Sequence, residues 1–201
     1  MRLTDTEVSL SFAYFGLIGE NLIGKVYMII TLEKKRLFCL VASYTVLVLW
    51  MILIFMMSAQ TGEISGNTSG SLIETICGVL ISGFEELSEA EKAGIVSGFS
   101  LPVRKAAHFT EYLVLAVLSN LAVMQSGKEI KVTPLTVGIS FAISALYAVT
   151  DEIHQLFVPG RAGAVTDVLI DAAGVLCGCI VFLTIRSFII KRKKPQQYSR
   201  G

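Results

Sequence analysis

Charged residues are scarce in this sequence. Asp, Glu, Lys and Arg make up 16% of its 201 residues, against roughly 25% in an average soluble domain. Because 17 basic residues nearly cancel 16 acidic ones, the net charge is only +1, which disfavours a basic nucleic-acid-binding protein. Four cysteines and four prolines are too few for a disulfide scaffold or a proline-rich chain.

Apolar residues are abundant by contrast. They account for 53% of the chain, and the mean hydropathy is +0.68. Intrinsic disorder is therefore disfavoured, because disordered chains combine low hydrophobicity with high net charge. A very apolar soluble domain and an integral membrane protein are the two classes that remain.

The apolar residues are concentrated in long runs. No charged residue occurs between Leu37 and Gly62, and shorter uncharged windows cover 112–127, 132–150 and 172–185. About 20 apolar residues cross a hydrocarbon core of about 30 Å. We therefore predict an all-α fold, an integral membrane four-helix bundle. The predicted spans are residues 38–58, 105–125, 133–152 and 167–189.

Basic residues flank these spans unevenly. In a four-span arrangement, eleven of them fall on one side of the membrane, whereas four fall on the other. Lys and Arg near span ends prefer the cytoplasm, so we predict a multi-pass membrane protein with cytoplasmic N- and C-termini. Residues 59–103 and 153–166 then lie outside, and 191–201 form a basic cytoplasmic tail. The eleven residues are Lys34, Lys35, Arg36, Lys128, Lys131, Arg186, Lys191, Arg192, Lys193, Lys194 and Arg200.

The segment before the first span, residues 1–33, is treated as an N-terminal extension. Its apolar run VSLSFAYFGLIG has 12 residues, which is short for a span. An interfacial helix, an additional poor span and a mis-assigned start, with Met28 as the natural one, are the alternatives.

The segment after the first span, residues 59–103, is predicted to be an amphipathic outer segment that forms a surface-lying pair of helices. Within it, Ser88 is followed three residues later by Glu91. This spacing is typical of a capping box, and it predicts a short helix over residues 90–99.

Ionisable residues cluster at one end of three predicted spans. Such side chains cost several kcal/mol inside a membrane and are functional candidates by default. At the start of the second span, Arg104, His108 and Glu111 share one helical face because of their spacing. At the start of the fourth span, Asp167 and Asp171 are followed by a stripe of small residues that permits close contact between helices.

The end of the third span is also polar. Asp151, His154 and Gln155 share a face and Glu152 lies beside them, while Pro159-Gly160 ends the helix and turns the chain. All three polar ends lie on the outer side in the predicted topology. We therefore expect them to converge in one pocket that opens to the outer leaflet.

The same residues carry a family resemblance. The segments RKAAHFTEY and DEIHQLFVPGRAGAVTDVLIDAAG, together with the earlier element MSAQTGEIS, resemble the VanZ-like family of bacterial membrane proteins over about residues 34–190. Asp171 stands where Asn is commoner in the family pattern. The resemblance implies a location in the bacterial cell membrane. It also implies a link to glycopeptide resistance, because the family is named for a protein associated with low-level resistance to teicoplanin. The matching positions are Lys105, His108, Glu111, Tyr112, Asp151, Glu152, Gln155, Pro159, Arg161, Asp167, Asp171 and Gly174.

Three hypotheses account for this cluster. The protein could be an enzyme acting on a lipid-linked or cell-envelope substrate, with general acid–base groups and a cationic rim. Alternatively, it is a non-catalytic module that binds a lipophilic ligand, an antibiotic or a partner membrane protein. In the third hypothesis the charges pair with one another and only hold the helices together. The candidate catalytic residues are His108, Glu111, Asp151, Glu152, His154 and Asp167. The candidate substrate-binding residues are Arg104, Lys105, Tyr112, Gln155, Arg161 and Asp171.

The expected partners follow from these hypotheses. They are a membrane lipid or a lipid-linked small molecule and no nucleic acid, and homo-oligomerisation stays open. No cofactor and no metal are predicted, although His108 with Glu111 and Asp151 with His154 have the spacing of metal ligands on one helical face.

Overall fold

The chain folds into α-helices. The computed structural model describes residues 5–127, 131–161 and 163–193, with side chains for 28–127, 131–161 and 163–192. The predicted all-α class is confirmed, since this part of the chain contains helices and no strand. The helices are α1 (Asp5–Ser58), α2 (Gly62–Leu80), α3 (Glu89–Ser126), α4 (Pro134–Gln155) and α5 (Val165–Lys193), with a 3₁₀ turn at Phe84–Glu86.

Four of these helices are long and apolar enough to cross a membrane. They are α1 from Met28 onward, α3, α4 and α5 up to Arg192, and the four predicted spans fall on them. Many of their apolar side chains point away from the bundle; Val48 and Leu176, for example, are about half exposed. Such outward-facing apolar side chains are what a lipid environment requires.

Residues 1–42 and 43–201 form separate compact units. The first unit holds the N-terminal part of α1, and its described side chains begin at Met28. The alternatives for the N-terminal extension concern mainly residues 1–27, whose side chains lie outside the described part, so they stay predictions. The second unit contains the rest of α1, the other helices and the candidate site.

Helix α3 is longer than its predicted span. The capping box is confirmed, because Ser88 accepts from the Glu91 amide and Glu91 accepts from the Ser88 amide. The prediction of a separate short helix over 90–99 is wrong, because α3 continues through Pro102 to Ser126. At 1.5 Å per residue, α3 is about 57 Å long, so it extends well beyond a hydrocarbon core of about 30 Å.

Packing on both sides of Pro102 explains this continuity. An interior proline costs a helix about 3 kcal/mol. Here Ile73 and Cys77 of α2 and Phe84 of the 3₁₀ turn form a buried cluster, and Val96 and Val103 of α3 pack against it. The predicted pair of helices in the segment 59–103 is therefore α2 packed on the first turns of α3.

Two glycines bring α5 against α3. A Cβ atom on Gly174 would lie 2.3 Å from the Phe109 carbonyl oxygen, and one on Gly178 would lie 2.3 Å from the Leu113 carbonyl oxygen. The expected close contact along the small-residue stripe is thus confirmed. Because both obstacles are backbone atoms, no side-chain rearrangement could make room for a larger residue.

Aromatic side chains attach the end of α1 to this pair. The Trp50 indole donates a hydrogen bond to the Glu111 carbonyl oxygen of α3 at 3.0 Å. The Tyr147 hydroxyl of α4 donates to the Met51 carbonyl oxygen at 2.6 Å. These bonds hold α1 beside α3 and α4 at the level where the polar side chains of the site begin.

The substitution Gly174→Ala tests the α3–α5 contact. We expect it to lower the free energy of unfolding by about 1–3 kcal/mol, the usual effect of overpacking, and to lower the thermal unfolding midpoint in detergent. Gly138→Ala in α4 is the matched control, because a Cβ there meets no atom within 4 Å. The control should unfold at or above the wild-type midpoint, since alanine is the better helix former. Equal midpoints for the two variants would contradict the proposed contact.

Candidate functional site

Three helices and one turn supply the twelve predicted site residues. Helix α3 carries five of them, the last turns of α4 carry four, the α4–α5 connection carries one, and the first turns of α5 carry two. In order, they are Arg104, Lys105, His108, Glu111 and Tyr112; Asp151, Glu152, His154 and Gln155; Arg161; and Asp167 and Asp171.

The first cavity lies where α3, α5 and the end of α4 meet. Its volume is about 260 Å³, which is slightly below the range of drug-sized ligand pockets. Such a cavity suits a small polar group. Seven of the twelve predicted residues line it together with Leu101, Gly160 and Ile170: they are Arg104, Lys105, His108, Gln155, Arg161, Asp167 and Asp171.

Two contacts between basic and acidic side chains cross this cavity from α3 to α5. Lys105 forms an ion pair with Asp167, and both side chains are about one-third exposed. One helical turn further along, Nδ1 of His108 lies 3.9 Å from an Asp171 carboxylate oxygen. Asp171 has no exposed surface, so its carboxylate lies at the buried end of the cavity wall.

A second cavity adjoins the first. It is lined by Ser58 at the end of α1, by Gln60 just after that helix, by α2, and by Glu111 on α3. Arg104, His108 and Arg161 line both cavities. These three side chains therefore form the boundary between the two cavities, and a bound molecule that reached from one into the other would contact all three.

Sequence reasoning missed the side of the second cavity formed by α1 and α2. Ser58 is 3% exposed, and Ser65, Thr68 and Ser69 of α2 also line the cavity. The side chains of Thr68 and Ser69 donate to backbone carbonyls one turn earlier in α2, which leaves their oxygen lone pairs to accept hydrogen bonds. The element MSAQTGEIS was the available signal, because it contains Ser58 and Gln60 and ends at Ser65.

Hydrogen bonds join the turn after α4 to the junction of α1 and α2, and we call this contact the latch. Arg161 donates to the carbonyl oxygens of Gln60 at 3.2 Å and Met57 at 3.3 Å, and the Gly62 amide donates to the Pro159 carbonyl oxygen. A Cβ on Gly62 would lie 2.0 Å from the backbone oxygen of Gly160. The turn that follows α4 is thereby fixed against the junction of α1 and α2.

The electrostatics of Arg161 follow from this position. Burial, and secondarily the neighbouring Arg104 guanidinium, lower the pKa of Arg161 below its ordinary value. An arginine guanidinium keeps its positive charge in proteins. The end of α1 concentrates carbonyl oxygens with partial negative charge, and these favour a cation.

Three of the candidate residues lie behind the cavity walls. Asp151 is 4% exposed and accepts a hydrogen bond from the Gln155 amide at 3.0 Å. Glu152 accepts from the Ala164 amide just before α5 at 3.2 Å, and Tyr112 is fully buried. These contacts place Gln155 and the start of α5, and none of the three side chains lines either cavity.

His154 lies apart from the other candidates. Its ring packs on Phe55 of α1 with 4.6 Å between the ring centroids, and it lines neither of the two cavities. Within residues 28–127, 131–161 and 163–192, no group of three or more His, Cys, Asp and Glu side chains is placed to hold a metal ion.

The chemistry of the first cavity is that of charged hydrogen bonds. Guanidinium and ammonium groups recognise phosphate or carboxylate oxygens, and a buried carboxylate recognises a positively charged donor. His108 can donate or accept a proton, and its Nδ1 lies near the Asp171 carboxyl group without a hydrogen bond to it.

The family comparison agrees with the sequence resemblance. The family model described as VanZ/LLP1 matches residues 43–186, which is more than half of the chain and contains all twelve candidate residues. Neither a curated protein nor a solved structure matches the chain significantly. The chain therefore belongs to the VanZ/LLP1 family.

Proposed function

We propose that this membrane protein binds the charged head group of an amphiphilic cell-envelope molecule. The observation that carries the proposal is the pair of cavities that meet at Arg104, His108 and Arg161. The first cavity offers charged groups in a volume of about 260 Å³, enough for a head group but small for a whole lipid. The second cavity could receive the adjoining, less polar part, since Met57, Leu72 and Val103 also line it.

The orientation of the site is part of the proposal. The asymmetry of basic residues supports an orientation in which the ends of α3, α4 and α5 that carry the site lie on the outer side of the bacterial cell membrane. Helix α2, which follows the first span, lies at the same end and covers the second cavity. A ligand would then enter from the outer leaflet, where envelope precursors and lipophilic glycopeptides are found.

A link to glycopeptide resistance follows from this placement. A lipophilic glycopeptide combines a lipid tail with ionised groups, so it could occupy both cavities itself or compete for the natural ligand. The membership of the chain in the VanZ/LLP1 family supports this part of the proposal.

A second candidate function is acid–base catalysis on the bound molecule. The approach of His108 to Asp171 at 3.9 Å favours it, because a carboxylate beside one ring nitrogen leaves the other to exchange protons with a substrate. His108 would be the catalytic residue and Asp171 a positioning residue. The two cavities would then hold the two parts of a substrate that the reaction separates or modifies.

The topology can be tested by cysteine labelling in a cysteine-free background, which requires replacing Cys39, Cys77, Cys177 and Cys179. Ser82→Cys lies in an exposed turn after α2, and Glu129→Cys lies between α3 and α4. We expect a membrane-impermeant maleimide to label position 82 in intact cells and position 129 only after lysis. The reverse pattern would place the site on the cytoplasmic side.

Ligand binding can be measured by the emission of Trp50, the one tryptophan in the sequence, because its indole bonds to the backbone of Glu111 beside the second cavity. We expect saturable binding of a short-chain phospholipid but not of the uncharged diacylglycerol with the same chains. Arg104→Gln should raise the Kd about tenfold to a hundredfold, since it removes a charge-assisted hydrogen bond.

Lys92→Gln is the control for this variant. Lys92 lies on the same helix and pairs with Glu89, away from the cavities, so its loss should leave the Kd unchanged. Equal effects of the two substitutions, or equal binding of the two ligands, would contradict the binding proposal.

In cells that contain equal amounts of protein, Arg104→Gln should also lower any protection against teicoplanin; if the wild-type protein gives no protection, the link to resistance is refuted.

The catalytic candidate predicts a different result for His108→Gln. Purified wild-type protein should change an envelope lipid covalently, as detected by mass spectrometry, and the variant should lose about a hundredfold or more of that rate. Ligand retention should persist in the variant. If the wild-type protein retains ligand without changing it, catalysis is excluded, whereas retained turnover in His108→Gln would show that another group acts.

A further inference from the structure

Two buried polar groups of opposite charge face the first cavity without a partner. Neither carboxylate oxygen of Asp171 accepts a hydrogen bond from any described residue, and Nε of Arg104 donates none within the same part of the chain. Both residues line the first cavity. A buried polar group without a hydrogen bond costs free energy whether or not it is ionised, so this arrangement suits a ligand that supplies both missing partners.

The other charges of the cavity are already engaged. Lys105 is paired with Asp167, and Arg161 donates to two backbone carbonyl oxygens of the latch. His108 approaches Asp171, but at 3.9 Å it lies beyond hydrogen-bonding distance. The groups left for a ligand are therefore the Arg104 guanidinium, the Asp171 carboxyl group and Nδ1 of His108, and the first two carry opposite formal charges.

Helix geometry sets the spacing between these two groups. Arg104 is adjacent in sequence to Lys105, which meets Asp167 of α5, whereas Asp171 lies four residues further along α5, opposite His108. Four residues correspond to about 6 Å along a helix axis. The Asp171 carboxylate therefore lies about one helical turn deeper in the cavity than the Arg104 guanidinium.

This spacing matches a small zwitterion. In an ethanolamine phosphate group, four covalent bonds of about 1.5 Å separate nitrogen from phosphorus, a reach of about 5 Å. A primary ammonium donates up to three hydrogen bonds, which suits a carboxylate with two free oxygens. A quaternary ammonium has no N–H group and could not satisfy those oxygens.

We propose that the first cavity binds a zwitterionic head group, with a primary ammonium on Asp171 and a phosphate on Arg104. This inference rests on the proposed function and specifies its ligand class. The less polar remainder of the molecule extends from the phosphate past Arg104 and Arg161 into the second cavity, since both residues line the two cavities.

The test compares short-chain phospholipids with identical acyl chains and different head groups. The full-length protein in detergent is titrated with phosphatidylethanolamine, phosphatidylcholine and phosphatidylglycerol, and Trp50 emission gives each Kd. We expect phosphatidylethanolamine to bind about tenfold or more tightly than the other two lipids. Glycerophosphoethanolamine, which has no acyl chains, distinguishes a free zwitterion from a lipid head group.

Asp171→Asn is the decisive variant, because it removes the charge at nearly constant shape. It should abolish the preference for phosphatidylethanolamine and leave the affinity for phosphatidylglycerol unchanged. Retained phosphatidylglycerol binding also shows that the variant folds. Glu89→Gln is the control, since Glu89 is exposed, pairs with Lys92 and lines neither cavity, and it should keep the preference.

The outcomes separate this inference from the proposed function. Equal Kd values for the three lipids in the wild-type protein, or an unchanged preference in Asp171→Asn, would overturn the zwitterion inference and leave head-group binding intact. Binding of none of the lipids would overturn the proposed function itself. If glycerophosphoethanolamine binds as tightly as the lipid, the result would support recognition of a zwitterionic group. It would overturn the proposal that the ligand is an amphiphilic molecule.

Discussion

The contact of the α5 backbone with the α3 backbone is the constraint on which the candidate site depends. Gly174 and Gly178 allow the two helices to approach until a Cβ atom would collide with carbonyl oxygens. Asp171 and Asp167 lie one and two turns before Gly174 on the same stripe of α5. The close approach therefore brings Asp167 to Lys105 and Asp171 to His108.

A second constraint acts between parts of the chain about 100 residues apart. Arg161 bonds to the end of α1, and Gly62 and Gly160 approach so closely that neither turn could move independently. Helices α3, α4 and α5 form most of the walls of the two cavities. The latch fixes the end of α1 and the start of α2 against them, so that these two helices form the remaining wall of the second cavity. Arg161 thus holds two turns together through its hydrogen bonds and also lines both cavities.

Hydrogen bonds join some polar groups of the bundle and leave others with unpartnered atoms. In the bundle interior, Ser144 donates to Ser119 and Trp50 donates to a backbone oxygen, as polar groups that join helices do. Asp171 and Arg104 keep polar atoms without a partner among the described residues, as interior groups such as Asn120 also do, but these two carry formal charges and line the first cavity. Helix packing alone does not account for such groups, because each adds a desolvation cost without a compensating bond.

Much of this architecture was predictable from sequence because its causes are local. Uncharged runs of spanning length identified four helices, the Ser88–Glu91 spacing identified the start of α3, and the small residues of α5 identified a close contact. The length of α3 was not predictable, because packing around Pro102 between α2 and α3 decides it. The side of the second cavity formed by α1 and α2 was missed for the same reason: only the fold brings Ser58 and α2 to Glu111.

The sequence by itself determined that ionisable residues gather at one end of three apolar helices, and which family pattern they follow. It did not determine which of them meet. His154 and Gln155 were predicted to share a face with Asp151, yet Gln155 lines the first cavity and His154 packs on Phe55. Adjacent helical residues differ by about 100° in direction, so each faces a different neighbouring helix. Only tertiary structure decided those neighbours, because the distances between helices depend on Gly174, Gly178 and the Arg161 latch.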